Sequence, residues 1–320
     1  MKLGVFTALF QDRPLNVALD QLGKMGVQAV EIGTGAYPGN AHCNPNELLK
    51  NKAAIKAFRK TIEDHGMMIS ALSCHGNPVS PDKGFAAECD RIYRETVQLA
   101  SEMEVGVINL FSGCPGDSED ARFPNWVTCA WPLEYLQVLN WQWEKKIIPY
   151  WQEAGPFAQK AGVKLAFEMH PGFVVYNPET LLRLREAVGS VIGANYDPSH
   201  LFWQGIDPVA SIHALAGAIH HFHAKDTYID QRNVTVNGVL DTKPYSKLPQ
   251  RSWTFRTVGY GHDQLTWRSI VSALRLTGYD YVLSIEHEDP LASIDEGLGK
   301  AISFLRDVLL FEPPAKIWWA

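Results

Sequence analysis

Strand-like and helix-like stretches alternate along the whole of this chain, and that alternation limits the folds open to it. Short apolar runs recur at Leu3–Thr7, Val27–Gly33, Met67–Cys74, Gly106–Ser112, Val163–Met169, Val191–Asp197, Ile219–Lys225 and Tyr281–Glu286. Amphipathic stretches follow them at Pro14–Met25, Pro45–His65, Phe85–Glu104, Leu133–Ala161, Pro178–Ala187, Pro208–Ala216, Leu265–Thr277 and Ile294–Leu310. Strands that must all return to the same end of a sheet need a crossover helix each, so the pattern implies a parallel sheet. Its simplest closure is an α/β fold of one domain over residues 1–320, a (β/α)8 barrel, and the length suits one. A doubly wound open sheet is the alternative. It calls for a G-x-G-x-x-G turn after an early strand, and the chain has none.

Local signals agree with these elements. Asn177-Pro178 and Asp207-Pro208 each place a capping side chain before a proline at the first helical position. Gly26, Gly66, Gly106, Gly162 and Gly278 stand where a helix should close before the next strand. Two connections, residues 113–132 and 228–263, are longer than a barrel needs. Both follow the C-terminal end of a strand, the face on which barrel active sites lie.

Composition excludes several roles. The net charge is −6 and no basic stripe is present, which argues against nucleic acid as a partner. No apolar stretch is long enough to span a bilayer, and the first residues lack the apolar core of a signal peptide. Cys43, Cys74, Cys89, Cys114 and Cys129 are odd in number, scattered, and form no C-x-x-C pair. Reduced thiols in a cytoplasmic protein are the expectation. A homo-oligomer, dimer or tetramer, is expected as well, with Trp141, Trp143 and Trp151 or the apolar tail Ile317-Trp318-Trp319 as candidate contacts.

Four strand-like runs share one design: each ends in a metal-type ligand. They end at Glu168, Asp197, His223 and Glu286. A group at the last position of a barrel strand projects into the barrel mouth, so the four would converge. Three oxygen donors and one imidazole suit one divalent cation, Mn²⁺ foremost, with Mg²⁺, Co²⁺ or Zn²⁺ as alternatives. Taken singly, each has a plainer role as a rim carboxylate or a hydrogen-bonded core histidine. Their shared position outweighs that. Period-two spacing adds His170, His221, Lys225 and Glu288 to the same faces. His221 is as readily a hydrogen-bonded core residue, and Lys225-Asp226 a rim ion-pair anchor. Glu31 and His75 end other strands at the mouth, and either could touch substrate or simply bond at the rim. Trp126 or Trp131 could stack on a sugar ring, while Trp141, Trp143 and Trp151 suit helix packing.

Glu168-x-His170-Pro171, Asp197-x-x-His200, His223-Ala224-Lys225-Asp226 and Ser284-Ile285-Glu286-His287-Glu288-Asp289 resemble the xylose-isomerase-like TIM-barrel superfamily. The nearest branch is the sugar phosphate isomerase/epimerase group, which includes ketose 3-epimerases, hydroxypyruvate isomerases and inosose dehydratases. The resemblance runs essentially from end to end. It implies that Glu168, Asp197, His223 and Glu286 bind the metal, and that Glu168 and Glu286 are the catalytic acid/base pair. It also implies that His200 and an arginine after strand seven bind substrate. Phe255-Arg256-Thr257-Val258-Gly259-Tyr260-Gly261 resembles the family's Gly-x-Gly segment, which points to Arg256. His170 stands where the family often has Asn, and the loop at 228–263 is longer than in simple ketose epimerases. The implied reaction is isomerisation or epimerisation of a carbohydrate by proton abstraction α to a carbonyl, through an enediolate stabilised by the cation. His75, His170, Lys225 and Trp126 complete the expected substrate contacts. No Gly-rich phosphate loop is evident, so an unphosphorylated sugar or glycoside is expected. The alternative is a lyase acting on a keto-sugar, keto-inositol or 3-keto-glycoside. Metal-dependent endonucleases share this barrel but need a basic groove. A binding module would not need all four ligand positions.

Overall fold

The computed structural model describes residues 1–319. Its strands are β1 (Lys2–Phe6), β2 (Ala29–Gly33), β3 (Met68–Ser73), β4 (Val107–Leu110), β5 (Lys164–Glu168), β6 (Ile192–Tyr196), β7 (Ile219–Ala224), β8 (Asp226–Ile229), β9 (Trp253–Arg256) and β10 (Val282–Ile285). All but β8 and β9 close into a parallel barrel in the order β1-β10-β7-β6-β5-β4-β3-β2. The α-helices are α1 (Leu15–Lys24), α2 (Pro45–Leu48), α3 (Lys52–Asp64), α4 (Lys83–Glu102), α5 (Leu133–Trp141), α6 (Ile148–Lys160), α7 (Pro178–Val188), α8 (Pro198–Phe202), α9 (Pro208–Ala214), α10 (Gln231–Asn237), α11 (Gln264–Leu276) and α12 (Ile294–Val308). The expected (β/α)8 architecture is therefore the observed one.

Four details differ from the sequence expectations, the last of them at Gly106. The stretch 45–65 breaks into α2 and α3, because Asn51 caps a new helix by accepting from the backbone N–H of Ala53 and Ala54. The stretch 133–161 is continuous but passes through a π turn at Gln142–Ile147. The connection 228–263 is structured: β8 and β9 pair antiparallel, with α10 and a 3-10 turn between them. The expected caps at Asn177 and Asp207 are in place, each accepting from a backbone N–H of the first turn. Gly26, Gly66, Gly162 and Gly278 take positive φ at helix ends; Gly106 does not, and Glu104 (φ 56°) makes that turn instead.

The main apolar core lies between the strands and the surrounding helices. Trp151 on α6 is one of its largest anchors there, fully buried and edge-on to Phe167 of β5 with ring centroids 4.7 Å apart. Its indole N–H donates to the Ser112 carbonyl at 2.9 Å, tying α6 to the end of β4. Trp151→Ala is expected to cost about 3–5 kcal/mol, read as a lower urea midpoint at unchanged slope. Inside the barrel the filling is different. Ala71, Val107 and Ala166 form a small apolar floor. Two residues further along the same strands stand Ser73, Asn109 and Glu168, all buried. The barrel thus turns polar toward its C-terminal end.

Candidate metal centre

Glu168 ends β5, Asp197 follows β6, His223 lies near the end of β7 and Glu286 follows β10. One ligand atom from each falls within 4.8 Å of the others. Glu168, Asp197 and His223 are buried, and Glu286 is nearly so. His223 Nδ1 lies 3.3 Å from Glu168 Oε2 and 3.2 Å from Glu286 Oε2. His223 Nδ1, though buried, has no hydrogen-bond partner of acceptable geometry, and Asp197 Oδ2 has only ion-pair contacts, with Lys225 Nζ at 3.1 Å and His200 Nε2 at 3.4 Å. Buried polar atoms in folded proteins are almost always satisfied, and a ligand at this point would satisfy His223 Nδ1. Three carboxylates and one imidazole nitrogen form a donor set that could hold a divalent cation.

The residues behind the donors set their orientation. His223 Nε2 bonds to Glu31 at 2.9 Å, which directs Nδ1 toward the carboxylates. Glu31 is itself held by Ser73 Oγ (2.5 Å) and Asn109 Nδ2 (2.9 Å). Burial pushes the Glu31 carboxyl up, but His223, His221 and Ser73 outweigh it and hold it well below the usual range. Glu31 is therefore an orienting group within the barrel. Its sequence signal was available in Val30-Glu31-Ile32, a lone acid at the end of an apolar strand. The register of β2 on β3 shifts between Val30 and Glu31, and that of β6 on β7 between Ala194 and Asn195. Such irregularities re-aim side chains beside sites. His221 bonds to Ser70 Oγ at 3.2 Å and lies 3.1 Å from both Asn195 and Asn109. It is a hydrogen-bonded core residue; burial lowers it to about 4, so it is neutral.

Charge crowds the site. Burial raises the Glu168 carboxyl, yet the facing imidazoles of His200, His223 and His75 win and keep it well below the carboxylate range. Burial, with Glu168 and Glu286 as like neighbours, raises Asp197 to about 6 against the pull of Lys225. Lys225 reaches Glu286 at 2.6 Å, Asp197 at 3.1 Å and Glu288 at 3.1 Å. Burial lowers its ammonium pKa, but those carboxylates raise it further. Lys225 and Asp226 do not anchor each other. Asp226 turns outward, accepting from the N–H of Gly259, Gly261 and His262 and so fixing the segment before α11. A Cβ at Gly261 would collide with the Thr227 carbonyl, so that turn needs glycine.

Of the expected substrate groups, the structure brings four to the site and a fifth, Trp126, to a cavity beside it. His200 Nε2 lies 2.9 Å from Glu168 Oε1, and His75 Nε2 3.1 Å from its Oε2. His170 packs on His200 with ring centroids 4.1 Å apart. Lys225 is among the ligands, and Trp126 lines a neighbouring cavity. Arg256 is not brought in: its Nε lies 3.0 Å from Asp289 Oδ1, and the Asp289 carboxylate also accepts from the Thr257 N–H. Trp131 is 75% exposed and lines neither cavity at the mouth, and Trp143 and Trp151 are core. The five thiols are free, four of them buried. An opening of about 260 Å³ lies over the donors, lined by Glu168, Glu286, His75, Phe6, Phe111 and Tyr37 among others.

The family model for the xylose isomerase-like TIM barrel matches residues 19–308, and the chain belongs to that family. It is 36% identical over 312 residues to the uncharacterized protein YfiH of Bacillus subtilis (strain 168), covering 97% of this chain and 99% of that one. A stretch of 101 residues is 32% identical to the inosose dehydratase of Geobacillus kaustophilus (strain HTA426), covering 31% of this chain and 32% of that one. The fold matches that of a D-psicose 3-epimerase crystallised with D-fructose (TM-score 0.62, 14% identity, 97% of this chain and 99% of the other). It also matches the IOLI protein with a bound zinc atom (TM-score 0.62, 18% identity, 96% of each chain). Epimerases and dehydratases thus both stand among its neighbours. Among the described residues no helix is long and apolar enough to cross a membrane.

Proposed function

We propose that the chain is a divalent-metal-dependent isomerase or epimerase of a small sugar, with Glu168, Asp197, His223 and Glu286 holding the ion. The observation that carries this reading is the convergence of one ligand atom each from Glu168, Asp197, His223 and Glu286 within 4.8 Å, with His223 Nδ1 lacking a hydrogen-bond partner. A bound cation would supply Lewis acidity to a carbonyl and an adjacent hydroxyl. Proton movement falls to the chain itself. Glu168, kept ionised by His200 and His75, takes the proton α to the carbonyl. Glu286 lines the same opening from the end of β10, with β7 and β6 between it and β5, and would return a proton drawn from the Lys225 ammonium 2.6 Å away. Lys225, His75, His170 and Trp126 position the substrate, and His200 acts through Glu168. Manganese is the ion of first choice, and a cytoplasmic homo-oligomer remains part of the proposal. The exposed α5, which buries no residue, is a candidate subunit contact.

One observation favours a second reading. An aromatic cavity adjoins the site, room for a substituent that could leave from the carbon β to the carbonyl; the same carbanion would then make the protein a lyase. The test is incubation of chelator-stripped protein, reloaded with Mn²⁺, with a panel of keto-sugars in D₂O. Deuterium at the α-carbon with the skeleton retained supports isomerase or epimerase. Loss of water or of a substituent supports the lyase, and absence of exchange across the panel sinks both. Glu31→Gln should weaken Mn²⁺ binding about 10–100-fold in equilibrium dialysis, because the imidazole loses its orienting carboxylate. Unchanged affinity would remove Glu31 from the centre.

A further inference from the structure

Lys225 sets an ammonium group directly against the donor set. It follows β7 by one residue, on the same face as His223, and its side chain is 2% exposed. Its three N–H donors meet three carboxylates: Glu286 Oε2 at 2.6 Å, Asp197 Oδ2 at 3.1 Å and Glu288 Oε2 at 3.1 Å. The ring of Phe255 lies against the same ammonium, its centroid 4.6 Å from Nζ.

The plain reading is a buried counter-charge that keeps crowded acids together. That accounts for Asp197 and Glu286. It does not account for Glu288, whose side chain is 51% exposed and whose charge water already solvates. Glu288 stands outside the four donors yet lines the opening over them. The ammonium thus touches two of the donors on one side and an acid outside the donor set on the other. The two donors differ in what they can share. Asp197 Oδ1 accepts the Ser199 N–H at 2.8 Å, so Oδ2, the atom Lys225 contacts, is the less committed oxygen. Glu286 has Oε1 in addition to the Oε2 that Lys225 holds. Two cations against one buried oxygen repel, and strongly so where water is excluded. A divalent ion and the ammonium are therefore alternatives at Asp197 Oδ2.

We propose that Lys225 is a tethered counter-ion of the metal centre: loading of the ion takes Asp197 Oδ2 from Lys225, and Glu288, with Glu286, keeps the ammonium at the edge of the site. This rests on the metal-binding reading under Proposed function. Lys225 is then a positioning residue that holds the donors together without the ion and lowers their affinity for it. Glu288 acts through Lys225 and raises that affinity, because it gives the displaced ammonium a partner. The arrangement also serves the proposed reaction, since a proton-bearing group stays beside Glu286 in the loaded site.

The test is Mn²⁺ affinity of the full chain by titration calorimetry, with the thermal midpoint of the metal-free protein as a second readout. Lys225→Met should bind Mn²⁺ at least about tenfold tighter. Its metal-free midpoint should fall, because Asp197, Glu286 and Glu288 lose their shared cation. Lys225→Gln, which keeps polar hydrogens without the charge, should shift affinity the same way and replaces Lys225→Met if that variant does not fold. Glu288→Gln, a change at a half-exposed side chain, should fold normally and bind Mn²⁺ about three- to tenfold more weakly. In the double variant with Lys225→Met the Glu288 effect should vanish, since the group it acts through is gone. A Glu288 effect of the same size in both backgrounds is a through-space charge effect and overturns the proposal. So does Mn²⁺ affinity that is unchanged or lower when Lys225 loses its charge in a folded protein. Absence of saturable Mn²⁺ binding by the unaltered protein overturns the metal-binding reading and this proposal together. Binding that Asp197→Asn abolishes but the Lys225 variants leave unchanged overturns this proposal alone.

Discussion

Glu168→Gln should lower α-proton exchange by about 10²–10⁴-fold while substrate and ion still bind. The amide keeps the size of the side chain and one oxygen donor. It cannot take a proton at neutral pH, and that is the step assigned to Glu168. The surroundings explain why this carboxylate is suited to it. His200 and His75 lie 2.9 and 3.1 Å from its two oxygens, and these imidazoles keep it ionised despite full burial. A loss confined to kcat, with KM and the Mn²⁺ titration little changed, identifies proton transfer. A parallel collapse of thermal midpoint and Mn²⁺ affinity would mark a structural role instead. Exchange at the normal rate would end the assignment.

Much of this site was legible in the sequence because barrel geometry converts chain position into place. A residue that closes a parallel strand lies at the mouth whatever its neighbours do, so Glu168, Asp197, His223 and Glu286 could be read from strand ends alone. Period-two spacing likewise brought Lys225 to the same face as His223. What was not legible depended on contacts between distant segments. Glu31 is 192 residues from His223, and only the closed ring brings it to 2.9 Å from Nε2. Arg256 carries the right chemistry for a substrate, but Asp289 holds its guanidinium in a pairing that no spacing rule reveals. The hairpin of β8 and β9 was hidden for another reason. Its strands have four residues each and are separated by a helix and a 3-10 turn, so no tight-turn signal marks it. Asp226 was ambiguous for the same cause: its partners Gly259, Gly261 and His262 are set by a turn more than thirty residues away.

Asp197→Asn should abolish stabilisation by Mn²⁺ without harming the metal-free fold. Three carboxylates within 4.8 Å repel one another in a buried space; Lys225 and His223 outweigh that at Glu286 but not at Asp197. Asp197 bears the cost most plainly. Burial and its acidic neighbours raise it from 3.8 to about 6, so its ionised form is the less tolerated one in the folded chain. The sign follows: a folded pKa above the unfolded one gives stability that is complete below about 3.8 and is lost as pH rises through about 6. At neutral pH the metal-free protein carries that penalty, and asparagine removes it. The substitution also spares the local fold, since the side-chain oxygen can still accept the Ser199 N–H at the start of α8. Lys225 keeps Glu286 and Glu288. The metal-free Asp197→Asn protein should therefore melt at or above the unaltered protein's midpoint at pH 7. Addition of Mn²⁺ at a hundred times its dissociation constant should stabilise the unaltered protein by about 2.7 kcal/mol, roughly 5 °C, and leave the variant almost unmoved. An equal Mn²⁺ shift in both proteins would show that the ion sits elsewhere. A metal-free variant that melts well below the unaltered protein would show that Asp197 serves the fold rather than the ion.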